Sequence, residues 1–338
     1  MNAADRLSQL ETNDVESRTW TLRLYDHHEL SIAGPEKFLE AVADYFWPQA
    51  RSVAPHPGQL RVELVVGRVR PGVTAAAEPC PVTLYASPDG YVPDFNEGVV
   101  YTGLPGVDRL VVNPHTGSGF LVTRDRVRIV NPDPSLGTRD ALRVVKQMVS
   151  TGFEAAGVLT VHASGFAMGG DAFAVTGPKG AGKTTTVLAA VAAGARLVSN
   201  DRLYARADTA GTDVLGWTDP IRLIDAPDRP KRVVSLASYF SGDTGRVAVG
   251  PLPLRAIVVP EVSTESAPIR CEELDSATGA ALVREEVLPA RARWLGIEPA
   301  PLTDARPPSA ERCLRLSYGY KDAAQAADLL LKTLARHT

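Results

Sequence analysis

Residues 177–184, Gly-Pro-Lys-Gly-Ala-Gly-Lys-Thr, constrain this chain more than any other stretch. They satisfy G-x-x-x-x-G-K-[ST] in full, a loop whose backbone N–H groups curl around phosphate oxygens. Such a loop needs a strand leading in and a helix leading out. Here the apolar "AFAVT" (172–176) reads as the strand, and the Ala-rich run opening at Thr184 reads as the helix, with Gly194 as its stop. On this reading Lys183 reaches the terminal phosphates and the Thr184 hydroxyl is placed for Mg²⁺. The helix start offers its positive end to the anion. Gly177, Pro178, Lys179, Gly180, Ala181, Gly182, Lys183, Thr184 and Thr185 are therefore the candidate nucleotide-binding residues. A chance glycine-rich turn would not carry these flanks.

The next apolar run, "ARLVSN" (195–200), reads as a strand with Asp201 at its C-terminal end. Open α/β sheets gather ligand-binding residues at that end. Asp201 there holds Mg²⁺ directly or through water; the plainer alternative is a turn cap paired with Arg202. His162 enters through a register argument. "VLTVHASGFAM" and "DAFAVTG" flank Gly169-Gly170, a two-residue hairpin signal. With Met168 facing Asp171, the register carries His162 across from Gly177. A histidine there touches the phosphates or the incoming group; the alternative is a satisfied core histidine.

The rest of the chain bounds the setting. At 338 residues and 44% hydrophobic content it can build one large or two modest cores. Lys+Arg number 36 against 39 Asp+Glu, so no basic field points to nucleic acid or to an anionic membrane. Cys80, Cys271 and Cys313 stand far apart, which fits a reduced, cytoplasmic setting better than a disulfide framework. The polar start, residues 1–17, reads as fraying and lacks a signal-peptide core. No apolar run approaches the roughly 18 residues of a spanning helix.

Patterning predicts strands at 19–26 and 59–67, a helix over 35–48 and short strands joined by turns from 109 to 132. A helix follows over 135–157, with Leu142, Val145, Met148 and Val149 inward. Further strands are expected in "DVLGWTDPIRLIDAP" and "LRAIVVPEV", loops at 263–280 and 297–310, and an amphipathic helix at the end. This divides into a small mixed α/β N-terminal domain over 1–130, a candidate for acceptor recognition, and a phosphate-loop domain over 131–338.

The order V-H-A, a short hairpin, G-P-K-G-A-G-K-T and then G-A-R-L-V-S-N-D-R resembles bacterial HPr kinase/phosphorylase and the HPr kinase-like enzymes of natural-product gene clusters. Some of the latter phosphorylate a serine of a ribosomal peptide precursor. The match covers about residues 155–205 well and the rest of the C-terminal half weakly. It implies an α/β fold with a P-loop kinase core similar to that of phosphoenolpyruvate carboxykinase. It also implies an ATP- and Mg²⁺-dependent kinase acting on a hydroxyl of a peptide or small-molecule acceptor, in specialised metabolism, and self-association, since HPr kinases form rings. By resemblance the loop binds nucleotide phosphates, Lys183 stabilises the transferred phosphoryl, Thr184 and Asp201 hold Mg²⁺, and His162 lies on the phosphoryl or acceptor side.

One position departs from that pattern. The family carries two adjacent aspartates at the end of the strand, the first serving as base; here that place is Asn200. An amide cannot take a proton. Asp201, His162, Asp219 or Asp225 are the replacements. The family's later loop toward the HPr protein has no match, so HPr itself is not the expected acceptor. Two other function classes stay open: a nucleotide-dependent switch or NTPase, and a non-catalytic nucleotide-binding module.

Overall fold

The computed structural model describes residues 10–12, 16–24, 28–54, 60–70, 79–84, 97–217, 219–223, 232–288, 293–296, 306 and 308–336. It is a mixed α/β protein with two large mixed sheets. The chain divides into two compact units that interleave in sequence. One comprises Met1–Ala43, Ala50–Gly152 and Ala290–Ala300, the other Asp44–Gln49, Phe153–Pro289 and Pro301–Thr338.

The first unit carries a ten-stranded sheet. Its strands are β1 (Leu10–Thr12), β2 (Arg18–Leu24), β3 (His28–Gly34), β4 (Ala50–Ser52), β5 (Leu60–Val69), β6 (Cys80–Thr83), β7 (Glu97–Thr102), β8 (Arg109–Asn113), β9 (Ser118–Thr123) and β10 (Arg126–Asn131). The order β4-β2-β3-β5-β10-β9-β8-β7-β6 mixes hairpins with parallel pairings of β5 to β3 and β10. The expected fraying of residues 1–17 does not hold at Leu10–Thr12, which pair with Gly67–Val69 of β5.

Helix α1 (Glu36–Tyr45) starts after Pro35, whose carbonyl receives the Phe38 and Leu39 N–H groups. It buries Phe38, Leu39 and Val42, as its 3.6-residue spacing predicts. Helix α2 (Pro134–Ala155) lies mostly in this unit and buries Val145, Met148 and Val149, while Leu142 is only half-buried.

A polar knot sits inside this apolar unit. Asp140 on α2 is fully buried, and its Oδ2 accepts from Thr116 Oγ1 at 2.8 Å and Ser118 Oγ at 2.7 Å. Its Oδ1 lies 3.5 Å from Arg139 Nε and 3.7 Å from Arg143 Nη1. Asn131 Nδ2 closes the knot on Thr116 O and Ser118 Oγ. Such burial is tolerable because the carboxylate is both paired and hydrogen-bonded.

The second unit carries the other ten-stranded sheet, in the order β14-β12-β13-β19-β16-β15-β11-β21, with β22 on β19 and β20 on β22. Its strands are β11 (Leu159–Val161), β12 (Ser164–Met168), β13 (Asp171–Val175), β14 (Arg196–Ser199), β15 (Leu203–Ala207), β16 (Thr212–Gly216), β19 (Leu252–Ser263), β20 (Arg270–Leu274), β21 (Val287–Leu288) and β22 (Arg312–Gly319). A separate two-stranded ribbon joins β17 (Ile221–Leu223) to β18 (Arg232–Val234). The helices are α3 (Lys183–Ala192), α4 (Leu236–Tyr239), α5 (Ser276–Glu285) and α6 (Ala323–Ala335).

Strands β13, β19 and β22 run parallel, and β14 points the same way because β12 is antiparallel to both β13 and β14. Their C-terminal ends therefore share one sheet edge. Phe166, Phe173, Val187, Leu197, Val258 and Leu316 form the centre of the core beneath α3 and α6. The expected loop at 263–280 is corrected by β20 and α5. Asp275 caps α5 by accepting from Thr278 N, a start signal that the polar composition of the segment masks. The loop expected over 297–310 lies largely outside the described residues.

Candidate active site

The phosphate-type loop sits where its sequence demands. Strand β13 ends at Val175, and Thr176 N bonds to Val258 O at 3.0 Å. Ala181 N returns to Pro178 O at 3.1 Å to close the loop, leaving Pro178, Lys179 and Gly180 exposed. Gly182 takes φ +96°, and a Cβ there would lie 2.3 Å from Val262 Cγ2. No other residue type fits that position. Because Gly182 is the N-cap of α3, no side chain caps the first turn, and its N–H groups suit an anion.

Lys183 is buried and places Nζ 2.6 Å from Gly177 O and 3.3 Å from Pro178 O, folded over its own loop. Thr184 Oγ1 donates to Asn200 O at 3.3 Å, and Ser164 Oγ donates to the same oxygen at 2.7 Å. Loop, hairpin and the turn after β14 thus meet on one carbonyl. Thr185 is half-buried beside them. Thr186 Oγ1 lies 2.8 Å from the Tyr318 hydroxyl, which braces the helix start against β22. Burial pushes the Tyr318 pKa up, so the brace stays protonated at neutral pH.

Ser199 shapes the turn that presents Asn200 and Asp201. Its Oγ donates to Trp217 O at 3.0 Å and receives the N–H groups of Asp201 at 3.4 Å and Arg202 at 3.1 Å. Asp201 is therefore not the turn's cap. Gly216 permits this crossing, since a Cβ on it would lie 1.6 Å from Val198 O.

Asn200 donates from Nδ2 to Pro220 O at 3.1 Å. Its Oδ1 is buried and has no hydrogen-bond partner among the described residues. A buried acceptor without a donor is costly. It suits a ligand that brings a donor, such as a metal-bound water.

Asp201 lies in a row of alternating acidic and basic side chains. Its Oδ1 is 3.5 Å from His162 Nε2, and its Oδ2 is 3.5 Å from Arg202 Nε. Arg202 Nε continues to Asp219 Oδ2 at 3.7 Å. The Tyr45 hydroxyl donates to Asp219 Oδ1, and Trp217 Nε1 donates to the Tyr45 oxygen at 3.3 Å. Burial, reinforced by the Asp219 carboxylate, raises the Tyr45 pKa well above the usual phenol value. Desolvation pulls the Arg202 pKa down, but Asp219 and Asp201 more than reverse it, so Arg202 keeps its charge. Asp219 is thus committed to Arg202 and Tyr45. Asp225 lies outside the described residues.

His162 departs from its expected place. The hairpin register holds from Met168–Asp171 to Ser164–Val175 and stops there. Before that point the chain pairs elsewhere: β11 lies between β15 and β21. His162 is therefore not paired across from Gly177. Its backbone N–H donates to Glu286 O at 2.8 Å, and its Nδ1 lies 2.9 Å from Glu286 Oε2. The hydrogen bond to Asp201 raises the His162 pKa above the usual imidazole value. Burial and the Lys183 ammonium oppose this, and the Asp201 and Glu286 charges add to it. The imidazole is half-buried and reaches Asp201 all the same.

No family model matches the chain, and no curated protein matches it. Among solved structures the chain is similar to the HPr(Ser) kinase/phosphatase from Coxiella burnetii, at 14% identity over 53% of this chain and 94% of that one. The TM-score of that overlay is 0.27.

Sequence reasoning missed Glu286. It lies 124 residues from His162, and no motif spacing connects the two. Only the apolar pair Val287-Leu288, read as a strand beside β11, would have brought it in.

The donors also bear on Mg²⁺. Among the described residues no group of three or more His, Cys, Asp or Glu side chains is arranged to hold a metal. An ion that travels with a nucleoside triphosphate needs only one or two protein oxygens, the rest coming from phosphates and water. Thr184 Oγ1, on the Asn200 carbonyl, and the carboxylate of the next residue, Asp201, are two such oxygens, and the orphaned Asn200 Oδ1 suits a water of the ion's shell, so the residues fit the group.

Among the described residues no helix is long and apolar enough to cross a membrane.

Proposed function

We propose that this chain is an ATP-dependent kinase of the HPr kinase-like type, moving the γ-phosphoryl group to a hydroxyl of a peptide or small-molecule acceptor. The observation that carries the reading is the convergence of the loop helix, through Thr184 Oγ1, and the Asp201 turn on one carbonyl, with His162 beside Asp201. A nucleotide-dependent switch would need a water-positioning residue and switch segments, and the sequence carries no signature of either. Acceptors in specialised metabolism and self-association follow from the family resemblance.

Phosphoryl transfer asks for positioning and charge neutralisation more than covalent help. The loop N–H groups and the α3 start hold phosphate oxygens, and Lys183 leaves its loop carbonyls for the terminal phosphates. Thr184 and Asp201 hold Mg²⁺, which neutralises phosphate charge when bound. Asn200 orients by hydrogen bond without taking a proton. His162 Nε2 takes the hydroxyl proton as the acceptor oxygen bonds to the γ-phosphorus and the β–γ bridging oxygen leaves with ADP. To do so the imidazole must be neutral, so the rate rises with pH through the His162 pKa.

The test is incubation with γ-labelled ATP and Mg²⁺ against seryl and threonyl peptides and small alcohols, with products read by mass spectrometry. The expected product is an acceptor heavier by one phosphate. Label appearing only as inorganic phosphate, with every acceptor unmodified, would replace the kinase by an NTPase.

A further inference from the structure

The carboxylate of Glu286 has no place in the transfer scheme above, yet it holds the one side chain in that scheme that moves a proton. Two features fix this contact. The first is register. Thr160 faces Leu288 and Val161 faces Val287 in the antiparallel pair of β11 and β21, so the next opposed pair is His162 and Glu286. The His162 N to Glu286 O bond of 2.8 Å continues that ladder. Directly opposed residues on antiparallel strands project to the same face, which brings Oε2 to 2.9 Å from Nδ1.

The second is anchoring from behind. Glu286 is the C-cap of α5, with its N–H on Val283 O at 3.1 Å, and Val283 is buried in the core. The carboxylate thus springs from a fixed backbone point at a helix–strand junction. Its neighbour Glu285 is exposed.

We propose that Glu286 is the positioning residue for His162: its carboxylate receives the Nδ1–H, fixes the ring and tautomer, and leaves Nε2 directed at Asp201 as the proton-accepting nitrogen. An Nδ1–H to carboxylate bond sets which ring nitrogen carries the lone pair. With Nδ1–H committed to Glu286 at 2.9 Å, Nε2 is the nitrogen that gains a proton, and the Asp201 carboxylate, Oδ1 3.5 Å away, then accepts from it. An ordinary exposed ion pair would not need this arrangement and would contribute little. The role rests on the kinase reading for its catalytic consequence, but its geometry does not.

The test has two arms. The first is nitrogen-edited NMR of the full chain at a pH where imidazole is neutral, with the His162 signal assigned by its loss in His162→Gln. The wild type should carry its proton on Nδ1. Glu286→Ala should move His162 toward the Nε2–H tautomer that free imidazole side chains prefer. Glu286→Gln keeps an acceptor oxygen and should retain the Nδ1–H form.

The second arm is turnover with Mg²⁺ and ATP on whichever acceptor takes the label. Glu286→Ala should lower kcat by about 10–100-fold with the KM for ATP unchanged, and Glu286→Gln should restore part of it. The control Glu285→Gln should change neither arm. A wild-type tautomer in Glu286→Ala overturns the proposal, as does a moved tautomer with unchanged kcat. If the wild type phosphorylates nothing, the kinase reading falls, while the NMR arm still decides whether Glu286 holds the ring.

Discussion

Two aspartates, one in each unit, each have two basic side chains beside them, and their surroundings differ. Asp140 is sealed from solvent, takes two hydroxyl hydrogen bonds at 2.7 and 2.8 Å on one oxygen, and has Arg139 and Arg143 beside the other. Asp201 is 44% exposed, and both its partners, His162 and Arg202, stand off at 3.5 Å. Asp140 keeps one oxygen, Oδ2, in two hydrogen bonds and the other against arginines with no solvent access, while the Asp201 carboxylate remains open to solvent. Basic neighbours alone do not tell a carboxylate enclosed by the protein from one that a ligand can reach. Exposure does.

The largest effect expected from this contrast is on Asp140. Replacing it by alanine strands two arginines and two hydroxyls around a buried gap and should cost about 3–5 kcal/mol of stability. Denaturant unfolding measures it, and a loss below about 1 kcal/mol would make the knot an ordinary surface pair. Lys183→Ala comes next. It should cut transfer by about 10²–10³-fold, as loss of one transition-state donor does, without lowering the thermal midpoint. Transfer at the wild-type rate would remove the loop from the active site.

His162→Gln should lower kcat by about 10²-fold and abolish the rise of rate with pH, while ATP affinity holds. An unchanged kcat and pH profile would make the histidine structural. Asp201→Asn, the counterpart of the Asp140 change, should leave stability within about 1 kcal/mol and raise the Mg²⁺ concentration needed for half-maximal activity. If Mg²⁺ dependence stays put, Asp201 is only the ion-pair partner of Arg202.

The smallest effect is a pH dependence of folding. The His162 pKa is raised in the folded chain, so its contribution is complete below the unfolded imidazole value of about 6.5 and fades as pH rises through the higher folded one. The thermal midpoint of the nucleotide-free wild type should therefore lose ground to His162→Gln across that window. Parallel midpoints would show that the Asp201 and Glu286 contacts add nothing to stability.

Local rules made part of this protein legible from its sequence. The loop 177–184 needs glycine at a left-handed position, a strand before and a helix after, and all three are written within about twenty residues. The hairpin at Gly169-Gly170 is equally local, and its register came out pair for pair from Met168 to Ser164. Asp201 follows from a strand end. These features depend on neighbours in the chain, so composition and spacing suffice for them.

The histidine shows where that reasoning stops. The hairpin register ends two residues short of it, because β11 gives way to β12 at Ala163 and β11 pairs with strands from elsewhere in the chain. Which strands those are depends on how ten strands share one core, a question of total burial rather than of local pattern. The same holds for α5, whose polar surface masks a helix that only the burial of Val283 ties to the core. Sequence alone determined the phosphate-type loop, its strand and helix, and the carboxylate beside it. Tertiary structure alone decided that Glu286, 124 residues away, meets His162, since only strand pairing closes so long a loop onto one hydrogen bond.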